Sequence, residues 1–360
     1  MIDVTVFDDV SLIPSFWLFG FVKLQESGKI RLRWRHGRQS PVSSEASKWK
    51  SVVFLAREGK KERLGYIDIF DSFRSLDVET IAKCDAYFKF NFNTEHISST
   101  VPVELARKVH PIGFYFPIAL EQGAHVLFAV ARAAVAGFFG RRSSLVERVK
   151  DARRSARQRI ELDTRYFSLA TYRETLAPVR ERDLDLFWNV GYWAPKFDRN
   201  SASSNQRVEV MKILETIQAT SNFRMRFGFV DKPDARSAVP NYVLDPSPST
   251  REYLDLLART KMSIVTRGLE RCFSWRVGEH LALGRFALLE RFHNTSRVEL
   301  RDGHDAVFFE PDLSDLEEKI RWYLEHDEQR EAIAGRGALY FDAHCRPERQ
   351  IESMLSTLLT

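Results

Sequence analysis

Apolar residues along the chain fall into short β-rich runs separated by segments of helical period. The first stretch alternates "DVTVF", "PSFWLFGFVKL" and "KIRLRW", which predicts strand, helix and strand. "SVVFLAR" and "LGYIDIF" read as two further strands, followed by "VETIAKCDAYFKFNF" and the turn-forming "HPIGF". A second alternating series begins near residue 184. "LDLFWNVGYW", "FRMRFGFV", "KMSIVT" and "RFALLE" are its strands, and "SSNQRVEVMKILETIQAT", "TREYLDLLART" and "SWRVGEHLALG" its helices. Ser314 to Glu317 has capping-box form and opens a helix through about His326; Asp327 caps another, and the tail from Arg349 is helical. Strands alternating with helices predict parallel sheets with crossover connections.

Residues 118–165 break this rhythm with an apolar segment, "HVLFAVARAAVAGFFG", and then a basic one. Between 141 and 165 nine basic residues stand against four acidic ones, an excess equal to the +5 of the whole chain. The apolar segment is too short and too charged at Arg132 to span a bilayer. Apolar residues beside a basic stretch suit docking on an anionic membrane face, and a buried helix followed by a solvated one is the plainer alternative. No nucleic-acid module accompanies the basic stretch, so nucleic acid is not an expected partner.

At 360 residues the chain predicts two domains. Three isolated cysteines, Cys84, Cys272 and Cys345, suit a reducing compartment. With no signal peptide legible, the expected location is the cytoplasm, with the inner membrane face as the place where a basic stretch would act.

The chemistry concentrates after "KMSIVT". Taken as a buried parallel strand, it leaves residues 267–273 as the loop at its carboxyl end and Ser274 as N-cap of the next helix, which Gly284 ends. A helix N-terminus with Arg267, Arg271 and Arg276 around it predicts a diphosphate site. Trp275 and Glu279 share a face with Arg276, and Glu279 one turn into the helix suits ribose hydroxyls. The alternative is that Ser274 only caps, Trp275 fills core and Glu279 pairs with Arg276.

The run from "YLDLLARTKMSIVTRG" through "SWRVGEHLALGRFALLE", "DGHDAVFFEPDLSDLEEKIRWYL" and "REAIAGRGALYF" resembles the C-terminal half of GT-B glycosyltransferases. It is most similar to the group 1 type and to the capsule-associated and protein O-glucosyltransferase type, over about residues 184–345. The resemblance implies an α/β, GT-B-like fold of two Rossmann-like domains facing a central cleft. Their expected extents are 1–170 for the acceptor side, with a helical insertion at about 118–165, and 171–345 for the nucleotide-sugar side, with a C-terminal helix at 346–360. It further implies metal-independent transfer from a nucleotide-diphosphate sugar, UDP- or GDP-linked, to a glycan, lipid-linked or protein hydroxyl, as in polysaccharide biosynthesis, with no cofactor. The E-x7-E pattern of many retaining members is absent, since eight residues separate Glu270 from Glu279, and the stereochemistry stays open.

The resemblance also draws in the loop "NVGYWAPKFDRNSASSNQR", where Gly191 permits close backbone approach and Lys196 and Arg199 could reach phosphate. On the acceptor side a carboxylate or histidine is the expected base. Asp8 and Asp71 are preferred for their places at strand ends, with Asp68, His96 and His110 as other options; Lys89 could neutralise phosphate across the cleft, and a surface lysine is the plainer reading. "DLD" at 183–185 has the letters of a metal motif but leads into a strand. The rival function is a non-catalytic two-domain protein that binds a sugar nucleotide or a membrane.

Overall fold

The computed structural model describes residues 1–7, 15–35, 37–42, 50–119, 167–176, 182–197 and 202–360. Asp8, Arg199 and nearly all of the 118–165 segment lie outside them. The chain divides into two α/β units, each with a six-stranded sheet. The first unit comprises residues 1–169, 295–298 and 344–360, and the second 170–294 and 299–343.

The first unit runs β1 (Ile2–Phe7), α1 (Ser15–Glu26), β2 (Ile30–Arg35), β3 (Ser51–Glu58), β4 (Lys61–Asp68), α2 (Val78–Lys83), β5 (Ala86–Lys89), α3 (Thr94–Thr100), α4 (Val103–Ala106) and β6 (Val109–Pro111). The sheet order is β2-β1-β3-β4-β5-β6. This sheet is not wholly parallel, as the alternation had predicted. β3 runs antiparallel to both neighbours, pairing Val4 with Ala56 and Leu55 with Leu64. The cause is local. Glu58 pairs with Lys61 across a two-residue turn whose Gly59 has φ 60°, a conformation that glycine adopts without steric cost.

In the second unit α5 (Leu169–Leu176) precedes β7 (Leu184–Val190), α6 (Ala202–Thr220), β8 (Met225–Val230), α7 (Pro233–Ala238), β9 (Val243–Leu244), α8 (Thr250–Arg259) and β10 (Thr260–Val265). Then come α9 (Trp275–Ala282), β11 (Ala287–Glu290), β12 (Val307–Phe309), α10 (Leu316–Glu325) and α11 (Asp327–Tyr340). All pairings here are parallel, in the order β12-β11-β10-β7-β8-β9. This is the doubly wound order: the chain builds outward from β7 in one direction, returns, and builds outward from β10 in the other. Val210, Leu214 and Ile217 of α6 share one helical face and pack with Leu186 of β7, Met262 of β10 and Leu288 of β11 in one core.

Two details depart from the sequence expectations. Ser314 forms no capping box; its hydroxyl donates to Asp312, and the residue before α10 is Asp315, whose side chain makes no cap bond. A complete capping box stands instead at Ser249 and Glu252, opening α8. The tail forms α12 (Pro347–Leu359), which packs on α1 and on β3, β4 and β5 of the first unit. The fit is close, since a Cβ on Gly20 would lie 2.5 Å from the carbonyl oxygen of Pro347. Gln350 fixes the helix further, accepting from the Gly113 amide at 2.8 Å and donating to Phe114 O at 2.9 Å.

Candidate functional site

Parallel strands in a doubly wound sheet end together on one edge, where no further strand caps them, and ligands bind there beside the point of reversal. The second unit has a cavity of about 280 Å³ at that edge. Val265 and Thr266 come to it from the end of β10, Glu290 from β11, and Glu310 and Pro311 from beyond β12. The loop after β10 adds Arg267, Arg271, Cys272 and Phe273, and α9 adds Ser274 and Val277.

The loop is held open by its backbone. Gly268 N donates to Cys272 O at 2.9 Å and Cys272 N to Leu269 O at 3.0 Å, closing a tight bend. A Cβ on Gly268 would lie 2.3 Å from the Cys272 sulfur. Within the bend Glu270 and Arg271 have φ of 51° and 61°, a left-handed pair that costs an L-residue about 1–2 kcal/mol each. Strain of this kind persists where surrounding contacts hold it. Asn294 supplies one, donating to Arg271 O at 3.0 Å.

Charge around the cavity is unevenly neutralised. The buried Glu290 carboxylate accepts from the Arg267 amide at 2.8 Å and lies 3.2 Å from the Arg267 guanidinium. Arg291 bonds Glu310 at 2.8 Å and Asp302 at 3.2 Å, and these bonds raise its pKa. The Arg271 guanidinium, by contrast, has no ion-pair partner among the described residues. The cavity therefore offers one uncommitted cation beside the positive end of α9.

Ser274 caps α9, accepting from Arg276 N at 3.3 Å, while its carbonyl accepts from Val277 N at 3.1 Å. The helix ends as a Gly284 C-terminus should, with φ 58° and Arg285 N donating to His280 O at 2.9 Å. Because two first-turn amides are engaged with Ser274, the helix offers the cavity its dipole more than a set of open donors.

Of the residues expected to hold nucleotide, Arg267 and Ser274 line this cavity; Gly191, Lys196, Trp275, Arg276 and Glu279 are not in its lining. Glu279 is buried and accepts from Arg276 at 2.6 Å and from the Tyr253 hydroxyl at 2.9 Å. The Arg276 guanidinium stacks 3.9 Å from the centre of the Tyr253 ring. Burial opposes charge on Arg276, yet Glu279 and Tyr253 outweigh it and raise the arginine's pKa. Lys196 lies over the exposed Phe197 ring at 4.9 Å. Gly191 presents its carbonyl to Arg207, at 2.6 Å.

In the first unit Asp71 follows β4 and pairs with Lys50. Lys89 is not a surface lysine: it is wholly buried at the end of β5, bonded at 2.8 Å to Asp68, which also accepts from the Tyr87 hydroxyl at 2.6 Å. Burial and the Asp68 charge push the Tyr87 pKa far up, so it acts as a donor. His96 packs edge-on against Phe73, and burial lowers the pKa of His110. The "DLD" aspartates have structural partners: Asp183 bonds Arg259, and Asp185 accepts from Arg224 N and pairs with Lys261. Among the described residues no three His, Cys, Asp or Glu side chains group as metal ligands.

Sequence reading passed over Glu290, Arg291 and Glu310, although the signal was present. Each apolar run, "RFALLE" and "AVFFE", closes on a carboxylate at the binding edge of the sheet.

No curated protein matches the chain. Among solved structures it is similar to TarM, with 10% identity over 86% of this chain and a TM-score of 0.36, and it spans only 64% of TarM's length. WaaG, a glycosyltransferase involved in lipopolysaccharide biosynthesis, gives 13% identity over 78% of this chain and 80% of its own, with a TM-score of 0.34. The UDP-GlcNAc 2-epimerase from Neisseria meningitidis, bound to UDP-GlcNAc, gives 11% identity over 97% and 96%, with a TM-score of 0.40. All three are distant likenesses. The family described as glycosyl transferase-like matches residues 213–356, a stretch that includes every residue lining the cavity.

Proposed function

We propose that the protein is a glycosyltransferase that binds a nucleotide-diphosphate sugar, UDP- or GDP-linked, in the cavity of the second unit and transfers the sugar to a hydroxyl of a glycan, lipid-linked or protein acceptor. The observation that carries this reading is the uncommitted Arg271, set by a strained loop at the carboxyl edge of a doubly wound sheet beside the N-terminus of α9. A diphosphate brings two adjacent anionic groups, which a guanidinium and a helix dipole stabilise together. The carboxylates of Glu290 and Glu310 suit sugar or ribose hydroxyls. Glu279, one turn into α9, serves the site by holding Arg276 and Tyr253, and ribose contact is its proposed further role.

In the transfer step the acceptor oxygen forms a bond to the anomeric carbon as the bond from that carbon to the diphosphate oxygen breaks. The electron pair leaves with the diphosphate. Its developing charge falls beside Arg271 and α9, where fixed positive groups stabilise it without reorganisation. The acceptor proton passes to a base, for which Asp8 and Asp71 remain the proposed candidates. On this reading the leaving group needs no metal, and activity survives a chelator.

The test is a thermal-shift panel of UDP, GDP, ADP and CMP with their sugar conjugates, because a ligand that binds only the native state raises the melting point. Sugar-nucleotide turnover is then followed by mass spectrometry. Binding without turnover against any hydroxyl acceptor returns the protein to a non-catalytic role. Binding of none of the compounds removes the reading.

A further inference from the structure

The first two turns of α6 carry polar side chains where an amphipathic helix would place core. Ser203, Ser204, Gln206 and Arg207 are all buried, and Arg207 is 4% exposed. Each is bonded to a loop at the binding edge. The Ser204 hydroxyl donates to Trp193 O at 2.9 Å and accepts from Trp193 N at 3.1 Å, fixing the loop after β7. The Ser203 hydroxyl donates to Gly268 O at 3.2 Å, in the loop after β10. Gln206 donates to Pro311 O at 3.0 Å, beyond β12.

Arg207 spans the point of reversal itself. Its Nη1 donates to Gly191 O at 2.6 Å, its Nη2 to Arg267 O at 2.8 Å and its Nε to Thr266 Oγ1 at 3.2 Å. One planar fork thus ties the end of β7 to the end of β10, a geometry that a lysine's single nitrogen cannot reproduce. None of the four side chains lines the cavity, yet Thr266, Arg267 and Pro311, which they hold, all do.

We infer that Arg207 is a positioning residue for the donor site, and that with Ser203, Ser204 and Gln206 it sets as one body three loops at this edge of the sheet, those after β10 and β12 lining the cavity. The inference rests on the donor-site reading above. The strained Glu270–Arg271 pair lies just beyond the anchored carbonyls of Arg267 and Gly268, so these anchors fix the origin from which Arg271 reaches the cavity. A buried arginine whose only work was stability would have no need to divide its donors between two loops.

The experiment is isothermal titration of UDP and GDP, with uridine and guanosine as phosphate-free probes, into the full chain and its Arg207→Met, Ser203→Ala and Gln206→Leu variants. Hydrogen exchange of the ligand-free proteins accompanies it. Arg207→Met should weaken the diphosphate that the wild type binds by about tenfold or more, through displacement of the loops it holds. Exchange in residues 191–197 and 267–273 should quicken together. Folded Arg207→Met with unchanged diphosphate affinity would overturn the inference and leave Arg207 a stabiliser. Should that variant not fold, the two milder truncations carry the same comparison, each expected to loosen its own loop and weaken the diphosphate, and unchanged affinity in both overturns the inference. A wild type that binds neither UDP nor GDP overturns the donor reading and the inference together, whereas binding with insensitive variants overturns only the latter.

Discussion

At the carboxyl ends of β4 and β5 the first sheet buries Lys89 against Asp68 and Tyr87, whereas at the ends of β10, β11 and β12 the second sheet encloses a cavity with arginines around it. Both edges gather charge where strand ends converge. In the first, every charge named is satisfied inside the protein, and the group behaves as a fastening. In the second, Glu290 and Glu310 neutralise Arg267 and Arg291 but leave Arg271 uncommitted. Polar residues at a strand edge therefore do not by themselves mark a site; an unbalanced charge beside a cavity is what makes the second edge the candidate.

The largest expected effect tests the closed edge. Lys89→Met leaves Asp68 buried without its cation, and urea unfolding should show a loss of about 3–5 kcal/mol. A loss well under 1 kcal/mol would mean that water reaches Asp68 and that the two edges are alike.

Next is His280 in α9, which is 3% exposed and whose pKa burial pushes down to about 4, with Glu279, Arg276 and Arg285 as its charged neighbours. The unfolded chain protonates this histidine near pH 6.5 and the folded one does not until near pH 4. Stability is therefore full above pH 6.5 and falls as pH drops toward 4, by up to about 3 kcal/mol. His280→Gln should flatten that slope, and an unchanged slope would place the pH dependence in other groups.

Arg271→Gly separates strain from binding. Affinity for the diphosphate should fall by about 1.5–3 kcal/mol, while stability holds or rises by up to about 1 kcal/mol as the left-handed residue is relieved. Loss of both together would make Arg271 a structural residue like Lys89. The smallest effect belongs to Ser274→Ala, which should cost about 1 kcal/mol of stability through the lost cap. Diphosphate affinity should stay level; a marked weakening would make the serine hydroxyl a ligand.

The second sheet was legible in β7, β8, β10 and β11, which are apolar runs, and in the helices α6, α8 and α9 between them; the two-residue β9 and the three-residue β12, which follows β11 with no helix between, are too short to carry a pattern. The first was misread at β3. A strand's hydrophobic pattern is the same in either direction, and the only directional signal was the two-residue turn at Gly59. At the site, the cap of α9 followed from Ser274 and Gly284 alone. Spacing places Glu279 one turn into α9, but it does not reveal Tyr253, twenty-six residues upstream, whose hydroxyl donates to the buried carboxylate. Arg207 and Lys89 were missed for one reason: hydrophobic periodicity assigns charged residues to the surface, and only tertiary structure shows a charge with enough partners to be buried.

The packing of α12 on α1 bears on how the protein comes off the ribosome. The second unit is complete in sequence by residue 343, but the first lacks the helix that covers α1 and one face of its sheet until 344–360 have been made. The half translated first is thus the half whose core closes second, and during synthesis Gly20 and its apolar neighbours on α1 wait uncovered. Such a nascent chain is a client for chaperones that shield hydrophobic surface. A stop codon just before Pro347 would damage the region encoded first, leaving the second sheet intact.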